Sequence, residues 1–571
     1  MKRLRWPLLI AILALVTIAV LLLGRQPVLT PVEPVIEPAT GGVYAEGLVG
    51  KLIRLNPLLD YFNQPDRDID RLIFSGLLRF DDRGLPVGEL ADSWGISRDG
   101  MVYNVSIQPE AVWHDGEPVT SDDVLFTIEM LRDDASLLPP DLREMWRQVD
   151  VKALDEKTLQ FRLPEPYSPF LDTLTFGILP AHLLSGLTFD EMINDSFNLA
   201  PVGSGPYRFD RLIVEEGQIK GVVLKAFKDF YREPAYIDEL VFRYYPDEQT
   251  ALEAYKEREV LGIDRSTLTT LPTVLREPEL NLYTGRLPEL SMIFLNLGNS
   301  GTPFLQDAAV RRALLMGLNR QGMIDRILGG QAILADGPIF PSTWAYYDGT
   351  QRVPFDPEGA IELLKSAGYT LPAEGGAVRQ NEEGTSLALE LLYPIDSPQH
   401  IAIAEEIQQD WGEIGVGVTL KGVTYRELVD EYLSGRAYQA ALVDINLARS
   451  PDPDPYPFWH QAQASGGQNY SNWDDRQASE YLEAARITTD LGERTKLYNN
   501  FQVRFNQELP ALPLFYPVYN YAVDGEVQGL RMGPLFEPSD RYNTATDWFL
   551  ITKRTLDNNQ QVSTPEASPP P

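Results

Sequence analysis

The side chains that could carry covalent or metal chemistry are few and poorly spaced for it. The four histidines are His114, His182, His400 and His460. None sits in an HExxH or comparable ligand spacing, which speaks against a zinc ion or a His-based triad. Cysteine is absent, so thiolate nucleophiles, Cys-type zinc sites, iron–sulfur clusters and disulfides are excluded. Gly203-Ser204-Gly205 holds the centre of a nucleophile elbow without its outer frame, with Val202 before it and Pro206 after it, and reads as a turn. The acid doublets Asp81-Asp82, Asp122-Asp123, Glu405-Glu406 and Asp474-Asp475 offer the paired carboxylates of a glycosidase, but with 82 acidic residues such doublets are expected by chance. No GxxxxGK loop and no GxGxxG after a strand is present, so nucleotide cofactors have no motif. The sequence predicts no catalytic residue, no metal site and no cofactor.

Recognition chemistry is better represented. Tyr61-Phe62-Asn63-Gln64, Trp344-Ala345-Tyr346-Tyr347 and the run from Pro451-Asp452-Pro453-Asp454 to Trp459 place aromatic rings where Pro and Gly preclude regular helix or central strand. Rings on stiff loops supply contact area at little entropic cost while polar neighbours orient a ligand. The competing role for each ring is to plug the end of a core. With 49 basic against 82 acidic residues the net charge is −33. Nucleic acid is therefore not expected as a partner, because that affinity rests on clustered cations.

The elements that must hold these loops start outside the folded region. Lys2, Arg3 and Arg5 precede an apolar run at residues 8–23 in which Thr17 is the only polar residue, the layout of an export signal. No small-residue cleavage site follows, since Gly24-Arg25-Gln26-Pro27 comes next. The reading is an uncleaved membrane anchor through residues 8–24, its basic end cytoplasmic and the remainder extracytoplasmic; a removed signal peptide is the alternative. Pro27, Pro31, Pro34 and Pro38 make residues 25–41 an extended stalk. The polar, Pro-rich residues 553–571 are expected to be a disordered tail.

Between these ends helical and strand patterns alternate, which predicts mixed α/β structure. Thr120 caps a helix whose apolar face is Val124, Leu125, Ile128 and Leu131, with Asp122 and Asp123 at its positive end. Further helices are expected over 307–319, 401–414 and 426–433, and strands over 103–107, 221–224, 240–245, 290–297, 387–393 and 438–443. No fixed-period repeat is present.

Several blocks resemble a known family when taken in order. Leu55-Asn56-Pro57-Leu58, Leu72-Ile73-Phe74-Ser75-Gly76-Leu77-Leu78, Leu90-Ala91-Asp92-Ser93-Trp94, Trp113-His114-Asp115-Gly116-Glu117-Pro118-Val119-Thr120 and, later, Gly203-Ser204-Gly205-Pro206-Tyr207, Val310-Arg311-Arg312-Ala313-Leu314 and Asn469-Tyr470-Ser471-Asn472-Trp473 keep the order seen in the extracytoplasmic solute-binding proteins of peptide- and nickel-type ABC importers (bacterial solute-binding protein family 5). The resemblance spans about residues 45–550. It implies a two-lobed α/β periplasmic-binding-protein-like fold of class II type with an extra subdomain in the first lobe. Residues 42–85, 201–288 and 516–552 would form lobe 1, residues 86–200 its inserted subdomain and residues 289–515 lobe 2. It also implies a non-enzymatic monomer that captures a peptide or small-molecule ligand between closing lobes and delivers it to ABC permease subunits. A membrane-anchored sensor or scaffold, and a secreted carboxylate-dependent hydrolase, are the alternatives.

Site residues follow by the same resemblance. Relatives that bind peptides clamp the ligand's amino group with an Asp in an Asp-Tyr-x-Asp-Pro-like loop. The corresponding stretch here, Asn446-Leu447-Ala448-Arg449-Ser450-Pro451-Asp452-Pro453-Asp454-Pro455, puts Pro451 at that position, so the clamp would shift to Asp452 or Asp444, with Arg449 facing an anionic group. Tyr61, Asn63, Met292, Trp344, Tyr425 and Asn446 complete the expected ligand-binding set, Met292 and Tyr425 by side-chain packing.

Overall fold

The computed structural model describes residues 11, 13–17, 35–446 and 452–555. The loop 447–451, with Arg449 and Pro451, lies outside the described residues, as do most of the expected anchor and stalk. Of the anchor run, residues 11 and 13–17 are helical, and the Thr17 hydroxyl donates to the Leu13 carbonyl at 2.7 Å. Among the described residues no helix is long and apolar enough to cross a membrane.

Two compact units result. In the smaller, strand Val35–Ala39 pairs antiparallel with Ile551–Thr555, Val35 opposite Thr555 and Ala39 opposite Ile551. Residues 553–555, read from the sequence as disordered tail, therefore extend a strand whose backbone groups are satisfied by the last stalk residues.

The larger unit, Thr40–Leu550, is organised by a twelve-stranded mixed sheet. Its order is Gly417–Val423, Ala388–Pro394, Ala440–Asn446, Glu289–Leu295, Ala511–Asp524, Gly262–Ile263, Val43–Val49, Glu239–Tyr245, Gln218–Ala226 and Tyr207–Glu215, with Leu280–Arg286 and Ala332–Leu334 also pairing the long strand. That long strand, Ala511–Asp524, changes partners along its length. Residues 511–517 pair with Glu289–Leu295 and Ala332–Leu334, and residues 518–524 pair with Leu280–Arg286 and Gly262–Ile263. The lobe bounds expected at 288/289 and 515/516 correspond to the turn between Leu280–Arg286 and Glu289–Leu295 and to a point inside this strand, where the chain shows no break of its own. A separate antiparallel sheet, ordered Ala91–Ile96, Val102–Ile107, Thr158–Arg162, Asp150–Asp155, forms within residues 86–200.

Alternation sets the cores. Along Glu289–Leu295, Ile293 and Leu295 enter one buried cluster with Leu314, Ile407 and Trp411, while Leu290, Met292 and Phe294 enter another with Phe340, Trp459 and Trp473. The strand is apolar on both faces because helices and loops cover both sides. The expected helix at Thr120 is Ser121–Arg132; its Asp123 carboxylate accepts from the Thr120 N–H at 2.7 Å, closing a capping box. The 307–319 helix is Ala308–Met316, capped by Asp307, with a second helix, Arg320–Arg326, following. The 426–433 pattern opens as α-helix at Tyr425–Glu427 and widens to a π-type turn over Leu428–Leu433.

The Gly203-Ser204-Gly205 turn is buried against the helix Gln64–Ile73. A Cβ on Gly203 would stand 2.0 Å from the Ile73 carbonyl oxygen and one on Gly205 2.5 Å from that of Leu72. His114 holds the turn: its Nδ1 accepts from the Gly203 N–H at 3.1 Å and its Nε2 donates to the Gly205 carbonyl at 3.0 Å, which fixes the tautomer. Ser204 is fully buried, so the motif is a packing device.

Candidate functional site

The helix Gln64–Ile73 carries three buried acids in its sequence Pro65-Asp66-Arg67-Asp68-Ile69-Asp70, and the structure treats each differently. Asp66 accepts from the Ile53 and Arg54 backbone N–H groups at 3.0 and 2.8 Å. Asp68 lies 2.7 Å from Arg541, which also meets Glu46 at 3.1 Å. Asp70 is 2% exposed, and neither carboxylate oxygen makes a well-formed hydrogen bond, the Asn56 backbone N–H being its one favourable donor. It faces a cavity of about 280 Å³ bounded by loop 57–61, this helix, strand Leu78–Phe80 and parts of residues 131–177, with Tyr61, Asp60, Arg79, Trp146, Tyr167 and Asp172 among the lining. Burial, with the charges of Asp60 and Asp66 adding to it, pushes the Asp70 carboxyl well above the usual range.

Asp172 links that cavity to the stretch beginning at Asp452. Its carboxylate accepts from the Asp452 backbone N–H at 2.7 Å, and Asp452 in turn takes a 2.5 Å charge-assisted bond from Arg494 and a 3.4 Å bond from the Tyr498 hydroxyl. The Arg494 guanidinium stacks over Trp344, 4.9 Å from the ring centre. Two buried carboxyls share one cation here, so burial raises both Asp172 and Asp452, Asp172 well above its ordinary value. Nearby, the Tyr167 hydroxyl reaches Asp454 at 3.5 Å and Ser168 donates to the Thr488 carbonyl at 2.5 Å. These contacts join residues 167–172 to the 452–488 region.

A second acidic group forms at the end of strand Ala440–Asn446. Asp444 accepts from the Ser291 hydroxyl, and His400 Nε2 stands 3.0 Å from its other oxygen, close enough for a charge contact but off the line of a well-formed hydrogen bond. Burial works to raise Asp444, but His400 and Ser291 outweigh it and hold the carboxyl below its ordinary value. The Tyr425 hydroxyl donates to the Asp444 carbonyl at 3.2 Å, and Asn446 donates to Glu289 at 2.9 Å. Burial, then the Asp444 charge, lifts Glu289 to about 7.

The residues expected from the sequence are thus brought into distinct places. Tyr425, Asp444 and Asn446 converge. Asp452 and Trp344 meet through Arg494, and Trp344 also lines a second cavity of about 620 Å³ between residues 82–85, 284–286, 341–344, 491–495 and 533–534. Tyr61 lines the first cavity, its ring 4.9 Å from Phe62. Asn63 precedes the helix Gln64–Ile73 and donates to the Lys51 carbonyl at 3.0 Å. Met292 is fully buried in a core cluster and lines neither cavity, because alternation turns it toward Phe340 and Trp459. Asp452, considered as an amine clamp, is engaged by Arg494. Asp70, Arg79, Asp172, His400 and Arg494 were not singled out for the site; none lies in a spacing pattern, and only tertiary packing brings them to it.

A model of the bacterial extracellular solute-binding proteins, family 5, matches residues 86–505. The chain belongs to that family. Among family 5 relatives, the dipeptide-binding protein of Escherichia coli K12 is 26% identical over 477 residues, covering 78% of this chain and 84% of its own. The oligopeptide-binding protein AppA of Bacillus subtilis is 24% identical over 519 residues, covering 90% and 92%. The substrate-binding protein CtaP of Listeria monocytogenes superposes with a TM-score of 0.73 at 25% identity over 90% of this chain and 99% of its own. HbpA2 of Haemophilus parasuis gives 0.77 at 22% identity, covering 87% and 99%. The family 5 architecture is the two-lobed, periplasmic-binding-protein-like α/β fold, and family 5 proteins act outside the cytoplasm.

Proposed function

We propose that this family 5 protein is the capture subunit of an ABC importer, taking a peptide or similarly small solute between its lobes and presenting it to permease subunits in the membrane. The observation that carries the reading is the junction at Asp452, Asp172 and Arg494, where the insert meets the 452–488 region beside a cavity. Residues 42–85, 201–288 and 516–552 with the 86–200 insert serve as one jaw and residues 289–515 as the other. Closure desolvates the ligand, and the closed form is the one the permease reads. The relatives named above as dipeptide- and oligopeptide-binding proteins support a peptide-type ligand. Binding rather than turnover is the output, so the protein acts as a monomer without catalysis, held at the outer face of the cytoplasmic membrane through residues 8–24.

Native mass spectrometry of the full chain in mild detergent, before and after denaturation, tests this. A released small molecule, with unchanged masses after incubation with peptide and glycan panels, is the expected result. An empty chain that binds no member of a peptide panel, or measurable product formation, overturns it. Membrane fractionation with and without residues 8–24 tests the anchor separately.

A further inference from the structure

Residues 86–200 and residues 289–515 meet without a common core. The buried apolar side chains of 86–200, Trp113, Phe161 and Phe170 among them, belong to one cluster with Leu48, Leu72 and Val222. Those of 289–515 form two others, around Leu314 and Trp411 and around Phe294 and Trp459. Among the described residues no hydrophobic cluster draws on both regions. What joins them is narrow and polar. Every hydrogen bond between the two regions, among the described residues, involves residues 167–172: the Asp452 N–H donates to Asp172 at 2.7 Å, the Tyr167 hydroxyl to Asp454 at 3.5 Å and the Ser168 hydroxyl to the Thr488 carbonyl at 2.5 Å. The Tyr167 ring also lies 5.6 Å from the guanidinium of Arg486, which pairs with Asp454 at 2.7 Å. The turn at Gly100 packs beside them, where a Cβ would stand 3.1 Å from the Thr489 methyl. A junction held by a few polar contacts, with no apolar core behind it, is one that parts and re-forms.

We infer that Tyr167 and the short helical turn Ser168–Leu174 form a latch, gripping residues 452–454 and 486–488 when the jaws are shut and releasing them when the jaws part, so that contacts of the protein itself hold it closed before any ligand arrives. The inference rests on the two-jaw division proposed above and adds which side chains set the balance between open and shut. The grip is kept weak by its own chemistry. Asp172, Asp452 and Asp454 gather at the junction, and its two guanidiniums are engaged elsewhere, Arg494 on Asp452 and Arg486 on Asp454. Asp172 therefore buries a carboxyl beside two others and receives a backbone N–H in return. That cost offsets part of what the three hydrogen bonds contribute, and a latch of this kind opens readily.

The test uses the full chain in detergent, stripped of any solute by unfolding and refolding. Cysteine is absent from the sequence, so Glu144→Cys and Arg476→Cys, both exposed, carry the only two spin labels, one on each jaw, and pulsed electron–electron resonance reads their separation. The otherwise unaltered chain is expected to show mainly the short separation. Asp172→Ala and Ser168→Ala each remove one bond of the grip and should each raise the ratio of long to short separations about fivefold. Asp172→Asn, whose side-chain carbonyl still accepts from the Asp452 N–H, should restore the short separation. A purely structural Asp172 would change the melting temperature and leave the separation alone. Ser168→Ala removes a single partly buried hydroxyl, so a result is in hand even where Asp172→Ala does not fold. A separation unchanged in the alanine variants, or Asp172→Asn as open as Asp172→Ala, overturns the inference. Unchanged separations in a chain that releases a solute on denaturation strike the latch and keep the capture reading; variants that open a chain which binds no member of the peptide panel keep the latch and strike the capture reading.

Discussion

Arg494 donates to Asp452 at 2.5 Å with both side chains almost wholly out of water, and the Asp452 backbone N–H continues the chain of contacts to Asp172 at 2.7 Å. A buried pair of this kind is expensive to assemble, and far more expensive to break from one side. Arg494→Gln leaves Asp452 facing Asp172 and Asp454 without a cation, so it should destabilise the protein by about 3–5 kcal/mol in urea unfolding. Asp452→Asn combined with Arg494→Gln should recover part of that loss, a coupling a double-mutant cycle reads directly.

Asp264 gives the protein a loss of stability toward neutral pH. It is buried, and burial lifts its carboxyl to about 7, with the nearby Asp68 adding to the rise and Arg541 opposing it. The folded state keeps the proton through pH 4–7 while the unfolded chain releases it near pH 4, so this group's contribution falls as pH rises through that window. Asp264→Asn should match the wild type near pH 4 and exceed it at pH 8 by an amount on the order of a few kcal/mol. Parallel denaturation series at the two pH values measure the difference.

His114 acts in the opposite direction. Burial holds its imidazole down at about 4, because protonating Nδ1 would break the bond from Gly203. The unfolded chain takes up a proton near 6.5, so the stability supplied by neutral His114 is complete above about pH 6.5 and lost as pH falls through about 4. An NMR titration should find this ring neutral at pH 5. The advantage of wild type over His114→Ala should shrink between pH 6.5 and 4.

Gly203 has no room for a side chain. Gly203→Ala drives a Cβ onto the Ile73 carbonyl, backbone against backbone, and should cost at least about 2 kcal/mol. Thermal unfolding of the variant checks this, and Gly116→Ala, where nothing lies within 4 Å but φ is +95°, separates steric from conformational cost.

Local signals carried much of the fold. The Ser121–Arg132 helix was legible because Thr120 and Asp123 cap it, and the Glu289–Leu295 strand because its apolar run is covered on both faces. The long strand Ala511–Asp524 was not, since Pro513 and Pro517 read as breakers; both prolines sit at positions that pairing with neighbouring strands tolerates. Of the expected site, Tyr425, Asp444 and Asn446 came from resemblance to relatives, and the structure brings them together at the end of one strand. Asp70 was hidden in a run of acids that reads as a solvated helix face; all three are buried, and only the tertiary donors that reach Asp66 and Asp68 distinguish them from it. Arg494, on the helix Leu491–Glu508, meets Asp452 across 42 residues of sequence that no local pattern connects.

The long strand also bears on motion. Because residues 511–517 and 518–524 are one continuous strand hydrogen-bonded in both halves of the sheet, the two jaws of the proposed capture subunit would not be strung on slack tethers. In that proposal, opening them would twist that strand and the turn at residues 287–288 together, and Pro513 and Pro517 mark where the ladder lacks amide donors. In the proposed capture cycle that strand would act as a torsion spring, so substitutions within residues 511–524, remote from either cavity, would alter how much ligand binding energy goes into opening and closing.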